Sequence, residues 1–161
     1  MVQSLFLFAW LALCAAQDIR QRQIANSLTL GAFLLALGYL LWSGTTWLGA
    51  TPAEGGWAFT LAVLFTLPGY ALGRLGAADV KLLGALALAT NCEYLLGTFI
   101  GAGLASAAWL LLAPKVWPLM NQGVRNTLHY LGPEQSKKQP FAPFLLVGFT
   151  LAWLWIPLVA T

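Results

Sequence analysis

The chain has 161 residues, of which 60% are hydrophobic and only 8% are charged. In soluble domains about a quarter of the residues are charged, so this composition excludes an ordinary soluble domain. The net charge of +3 comes from eight Lys and Arg against five acidic residues. The basic residues lie in short segments between apolar runs, which indicates membrane orientation rather than nucleic-acid binding.

Six apolar segments predict an all-α membrane protein, a bundle of six transmembrane helices. Crossing a bilayer core of about 30 Å takes about 20 residues, so residues 1–161 hold one integral-membrane domain and no room for a soluble one. The expected spans are residues 4–17, 27–42, 57–73, 78–92, 94–113 and 141–159.

Polar and small residues at the span ends predict local structure. Asn26 or Ser27 is expected to cap the second helix. Glycine pairs four residues apart, Gly69 with Gly73 and Gly97 with Gly101, predict close helix packing on the third and fifth spans.

The fourth span sets the topology. Asn91-Cys92-Glu93 interrupts the apolar run, and the eleven residues before it reach only about 16 Å as a helix. This span must therefore be short or recruit residues 77–79 and 91–93. The alternative is a single crossing by residues 80–113 with a re-entrant start. Only the six-span reading puts all eight Lys and Arg on one side, so we expect the basic loops in the cytoplasm and both termini outside.

On this topology Asp18 and Asp79 lie at the same depth, at the inner membrane boundary. A carboxylate this close to a span is costly, which calls for a compensating role. Two neighbouring carboxylates share a proton, and the pair then supplies both the base and the acid of peptide hydrolysis. The plainer alternative is that each aspartate only pairs with a nearby base, such as Arg20 or Lys81.

Three segments resemble, in order, motifs of the type IV prepilin peptidases, which are aspartic intramembrane proteases. The family's Asp with basic residues and Ile-Pro-Asn corresponds to Asp18-Ile19-Arg20-Gln21-Arg22-Gln23-Ile24-Ala25-Asn26. Its Gly-x-Gly-Asp-x-Lys-Leu corresponds to Gly76-Ala77-Ala78-Asp79-Val80-Lys81-Leu82, and its Pro-Phe-x-Pro-Phe/Tyr to Pro140-Phe141-Ala142-Pro143-Phe144. Two departures stand out. Ala25 replaces a proline, and Ala78 replaces a glycine, which adds a Cβ and penalises positive φ.

The resemblance implies removal of the basic leader of prepilin-like proteins by Asp18 and Asp79, at the cytoplasmic side of the bacterial inner membrane, without metal or cofactor. Gly76, Ala78, Lys81 and Asn26 would support the pair or position the substrate. Larger members carry a CxxC insert and N-methylate the new terminus. This chain lacks that insert and is similar to the compact class associated with Flp, or tight-adherence, pili, so no methyltransferase activity is expected.

Two other functions stay open at this point. A small proton-coupled transporter or channel would use the same carboxylates as a relay, although relay residues tend to lie in the middle of a span. The Ala78 departure also fits a catalytically inactive membrane protein of pilus assembly.

Overall fold

The computed structural model describes residues 1–133 and 139–159, and these residues form helices and connecting segments with no strand among them. The α-helices are α1 (Val2–Gln21), α2 (Asn26–Ser43), α3 (Pro52–Ala71), α4 (Ala77–Ala89), α5 (Cys92–Val116), α6 (Gln122–Thr127) and α7 (Ala142–Val159). Short 3-10 helices at Trp117–Leu119 and His129–Leu131 flank α6. Glu134, in the polar segment between the fifth and sixth predicted spans, lies outside the described residues.

The apolar helices point to a membrane protein. By length and composition, three helices of the described residues can cross a membrane, namely Val2–Gln21, Asn26–Ser43 and Cys92–Leu119, and Ala142–Leu158 is a shorter apolar helix. Each of the six predicted spans coincides with a helix. The crossing by all six helices and the position of both termini stay predictions.

Several helix boundaries differ from the predicted spans: α1 is longer at both ends than residues 4–17, and α3 begins at Pro52 and ends at Ala71 instead of spanning residues 57–73. α4 ends at Ala89, not at residue 92, because Asn91 caps the next helix and accepts a hydrogen bond from the Tyr94 N–H at 2.9 Å. α5 continues past residue 113 and includes Pro114 in its last turn. Proline is costly in a helix interior because it removes a backbone hydrogen bond and distorts the helix. Pro114 lies two residues from the end of α5, so few helical residues follow it.

The start of α2 also differs from the expected cap. Ala25 is the N-cap residue, and no side chain caps this helix. Asn26 is the first helical residue, and its amide oxygen instead accepts a hydrogen bond from Lys81 Nζ at 3.1 Å. The predicted cap by Asn26 or Ser27 was wrong because Asn26 bonds to another helix.

The long helices form two bundles of three. In the first bundle, α7 packs between α1 and α5; in the second, α4 packs between α2 and α3. The bundles meet where α5 touches α3 and α4. The packing therefore follows the order α1, α7, α5, α3, α4, α2, in which the first and last helices, α1 and α2, make few contacts with each other. The result is an open ring of helices.

Glycines bring α5 and α7 together in the first bundle. A Cβ added to Gly101 would lie 2.8 Å from Gly148 Cα, and one added to Gly97 would lie 3.0 Å from Ala152 Cβ. Gly97 and Gly101 thus permit backbone contact, as their spacing predicts. The Gly69 and Gly73 pair does not: Gly69 touches Leu75, and Gly73 lies beyond the end of α3 with φ +69°.

α4 forms the centre of the second bundle. Its residues from Leu82 to Ala89 are all buried. At 13 residues it is about 20 Å long, which is shorter than the hydrocarbon core of a bilayer. The loop between α2 and α3 covers its far end, where the Leu48 N–H donates to the Ala89 carbonyl at 3.0 Å. α4 therefore ends inside the protein.

Candidate active site

Asp18 lies in the last turn of α1 and faces the start of α7. Its carboxylate is buried, and Oδ2 accepts a hydrogen bond from the backbone N–H of Ala142 at 2.9 Å. Ala142 is the first residue of α7, whose leading N–H groups have no partner within the helix. Asp18 satisfies one of them, so a residue 124 positions away holds this side chain in place.

Asp79 lies in the first turn of α4, which belongs to the other bundle. Its Oδ2 accepts a hydrogen bond from the Gly76 N–H at 2.9 Å. Gly76 is the N-cap residue, with extended backbone at φ −85° and ψ 160°. The carboxylate therefore folds back over the helix N-terminus, where the helix dipole favours a negative charge.

The two aspartates line one small cavity at the junction of the bundles. Its volume is about 80 Å³, which is enough for a few water molecules and too little for a peptide. The residues lining it are Asp18, Arg22, Arg74, Gly76, Asp79, Gln139, Pro140 and Phe141. The sequence thus led to two carboxylates from distant segments that the fold brings to the same place.

Arg22 and Arg74 also line this cavity, and the sequence pointed to them only as topology signals. Arg22 follows α1 in the left-handed conformation, with φ 51°, and its guanidinium lies 5.5 Å from the centre of the Tyr130 ring. Two arginines beside two carboxylates balance the charge of the cavity. Their nearness to Asp18 and to the Gly76 motif along the chain was the signal available in the sequence.

Gly76 and Ala78 affect Asp79 in different ways. A Cβ on Gly76 would lie 3.3 Å from Asp79 Oδ2, so only glycine leaves this carboxylate its full space. Ala78 is an ordinary helical residue of α4, and Arg22 alone among the described non-glycine residues has a positive φ. The cost expected from replacing a family glycine by Ala78 therefore does not arise, because this backbone needs no positive φ.

Lys81 and Asn26 lie next to the site rather than in it. The hydrogen bond from Lys81 Nζ to Asn26 Oδ1 joins α4, two residues after Asp79, to the first residue of α2. The segment that connects the end of α1, where Asp18 lies, to α2 ends at Asn26. Ala25, where the family has proline, has φ −57°, a value that proline also adopts, and its N–H donates to Gln17 Oε1 at 3.0 Å. That hydrogen bond is available only because Ala25 is not proline.

Nothing in the described part of the chain resembles a metal centre, since no three His, Cys, Asp or Glu residues cluster there. His129 contacts the Asn126 carbonyl and the Tyr130 ring, away from the cavity lining. The ionisable groups that line this cavity are two carboxyl groups and two guanidinium groups.

The apolar helices define a membrane protein, and its candidate site brings two carboxyl groups to one small cavity. Residues 5–111 match the type IV leader peptidase family, so the chain belongs to this family of proteases. Comparison with curated proteins and with solved structures gave no match. The family match includes Asp18 and Asp79 and ends before the Pro140 motif.

Proposed function

We propose that this protein is an aspartic endopeptidase that removes the basic leader of prepilin-like proteins, with Asp18 and Asp79 as its catalytic pair. The observation that carries the proposal is the shared cavity, in which one carboxylate from each helix bundle faces the same small volume. Membership of the leader peptidase family supports the substrate class.

The chemistry follows from a pair of carboxyl groups that hold one proton between them. The ionised group takes a proton from a water molecule, whose oxygen attacks the carbonyl carbon of the scissile peptide bond. The protonated group donates to the carbonyl oxygen, and the proton then passes to the leaving nitrogen as the C–N bond breaks. The pair ends the cycle with the same number of protons with which it began.

The position of the aspartates favours a protease over a proton relay. Asp18 is in the last turn of α1 and Asp79 is in the first turn of α4. On the predicted topology both meet the cytoplasmic face of the inner membrane, where the leader of a prepilin precedes its hydrophobic helix. A relay across the membrane would need an ionisable group farther along the helices.

The compact Flp-type assignment rests on the cysteines. Cys14 is buried in α1, and Cys92 begins α5. They lie on different helices and 78 positions apart in the sequence, so they do not form a CxxC pair. We therefore propose leader removal without N-methylation of the new terminus.

Co-expression with a Flp-type prepilin tests this function. Asp18→Asn and Asp79→Asn should each abolish leader removal while the protein still accumulates in the membrane. Glu54→Gln is the matched control, because Glu54 is an exposed acid that caps α3 at the opposite end of the bundle. Glu134→Gln should also leave cleavage almost intact. Cleavage that survives either aspartate substitution would overturn the assignment, and membrane-inserted protein with proton flux but no cleavage would favour the transporter.

A further inference from the structure

The open side of the helix ring is an apolar groove between α1 and α2. Its volume is about 780 Å³. The α1 residues that line it fall on one helical face and include Phe6, Trp10 and Leu13, and the α2 residues run from Ser27 to Trp42. That length of helix corresponds to about 22 Å, most of the depth of a bilayer core.

The groove has a floor of small side chains on the helix that carries Asp79. Ala85 and Ala89 of α4 lie four residues apart along this floor. Both alanines are almost fully covered by neighbouring residues, at 1% and 5% exposure, so they form the deepest part of the groove. Ala85 is six residues from Asp79, or about 9 Å along α4. The groove and the cavity of the aspartates share no lining residue, and α4 contributes to both.

The ring of contacts shows what kind of partner is missing. Every neighbouring pair in the order α1, α7, α5, α3, α4, α2 is packed, whereas the closing pair, α1 and α2, makes few contacts besides the hydrogen bond from Trp10 Nε1 to the Leu28 carbonyl. One more helix between α1 and α2 would complete the ring, and it would contact α1, α2 and α4. Aromatic side chains, Tyr39, Trp42 and Trp47, surround the end of the groove far from the aspartates.

We propose that this groove binds the hydrophobic helix of the prepilin substrate, an inference that rests on the proposed function. A helix in the groove would run beside α4 and end near the level of Asp79, where its preceding leader must be cut. Hydrogen bonds from Trp10 Nε1 to the Leu28 carbonyl at 2.9 Å and from the Ala25 N–H to Gln17 Oε1 at 3.0 Å join α1 to the start of α2, at the end of the groove nearer the aspartates. The scissile segment must pass these hydrogen bonds to reach the aspartates.

Photo-crosslinking tests occupancy without requiring cleavage. A benzophenone amino acid is placed at Leu35, which lines the groove, or at Leu41, which is on the same helix but outside the groove. The two leucines are matched in exposure, at 73% and 77%. In the full-length Asp79→Asn protein, Leu35 should crosslink to the hydrophobic segment of co-expressed prepilin, and Leu41 should not. Crosslinks from Leu35 only to lipid or to a second copy of this chain would overturn the proposal, as would equal prepilin crosslinking at both sites.

Filling the groove tests its contribution to substrate binding. A Cβ on Gly38 meets nothing within 4 Å, so Gly38→Leu adds bulk to the groove without a clash in the fold. Gly103→Leu on α5 is the matched control, since it is equally unobstructed and lies outside the groove. We expect Gly38→Leu to raise KM about tenfold with little change in kcat, the pattern of lost uniform binding. An unchanged KM in Gly38→Leu would contradict docking in this groove.

The two experiments separate this inference from the proposed function. If Leu35 crosslinks to prepilin but the unsubstituted protein never removes a leader, the groove binds the helix and the peptidase assignment fails. If leaders are removed and both groove experiments are negative, the peptidase assignment stands and the substrate helix binds elsewhere.

Discussion

The two helix bundles reach their packing by opposite means. In the first, α5 and α7 meet backbone to backbone, because glycine removes the side chains between them. In the second, α4 is buried by side chains, and a Cβ on its Gly84 would lie 3.2 Å from the Phe59 ring. Each bundle supports one aspartate, Asp18 on α1 and Asp79 on α4. The geometry of the site therefore depends on how the two supports meet.

The largest effect is expected from breaking the first bundle. Gly101→Leu would drive a side chain into the backbone of Gly148, and overpacking of this kind costs about 3 kcal/mol of folding free energy. Thermal unfolding in detergent should show a large fall in the melting temperature. Gly103→Leu, two residues along the same helix with open space at its Cβ, is the control. Equal melting temperatures for the two variants would contradict backbone contact between α5 and α7.

A smaller effect is expected at the junction, where Gly76→Ala crowds Asp79 Oδ2 without disturbing either bundle. The carboxylate must move by a few tenths of an ångström, and we expect kcat for leader removal to fall about tenfold because catalysis depends on position. Gly56→Ala on α3, where nothing lies within 4 Å of the added Cβ, should leave kcat unchanged. A normal kcat in Gly76→Ala would show that catalysis tolerates the displacement of the Asp79 carboxylate by the added Cβ.

The Lys81–Asn26 hydrogen bond ties α4 to α2 within the second bundle, and its loss should have a moderate effect. Lys81→Met and Asn26→Ala are each expected to lower kcat about fivefold, and the double variant should be no worse because both remove one interaction. Steady-state kinetics on the purified protein measures the cycle. Additive losses would mean that the two residues act separately, with Lys81 serving only as a topological anchor.

The smallest effect is expected for Ala78→Gly, which restores the glycine typical of the family. Since Ala78 is helical, glycine relieves no strain and costs about 1 kcal/mol in helix propensity. Leader removal should stay within about twofold of the unsubstituted protein. A large gain in activity would show that the backbone beside Asp79 must leave the helical conformation during the reaction.

The sequence predicted the positions of the helices because apolar length is a strong local signal. It predicted Asp18 and Asp79 because carboxylates are rare in such a chain and because their neighbours resemble known motifs. Both aspartates depend on backbone groups, Ala142 for Asp18 and Gly76 for Asp79. The contact with Gly76 is local and could be predicted from the sequence. The contact with Ala142 joins distant segments and is seen only in the structure.

Other features could not be predicted from local patterns. Gly69 and Gly73 have the same spacing as Gly97 and Gly101, yet only the second pair touches a helix, because contact depends on which face the tertiary packing buries. In the sequence, Arg22 and Arg74 have the pattern of topology signals. A charge pattern alone does not show that they line the cavity or that the Arg22 guanidinium lies near the Tyr130 ring. The groove arises because α1 and α2 make few contacts with each other, which no local sequence pattern indicates.

The claim that one carboxylate from each bundle forms a single catalytic unit is tested most directly by a double-substitution cycle. The measurement is kcat/KM for prepilin cleavage by purified Asp18→Asn, Asp79→Asn and the protein with both changes. Residues that act as one unit lose their shared function when either is removed. We predict that both single variants fall to the same residual rate and that the double variant falls no further. A double variant whose loss is the product of the two single losses would contradict the account.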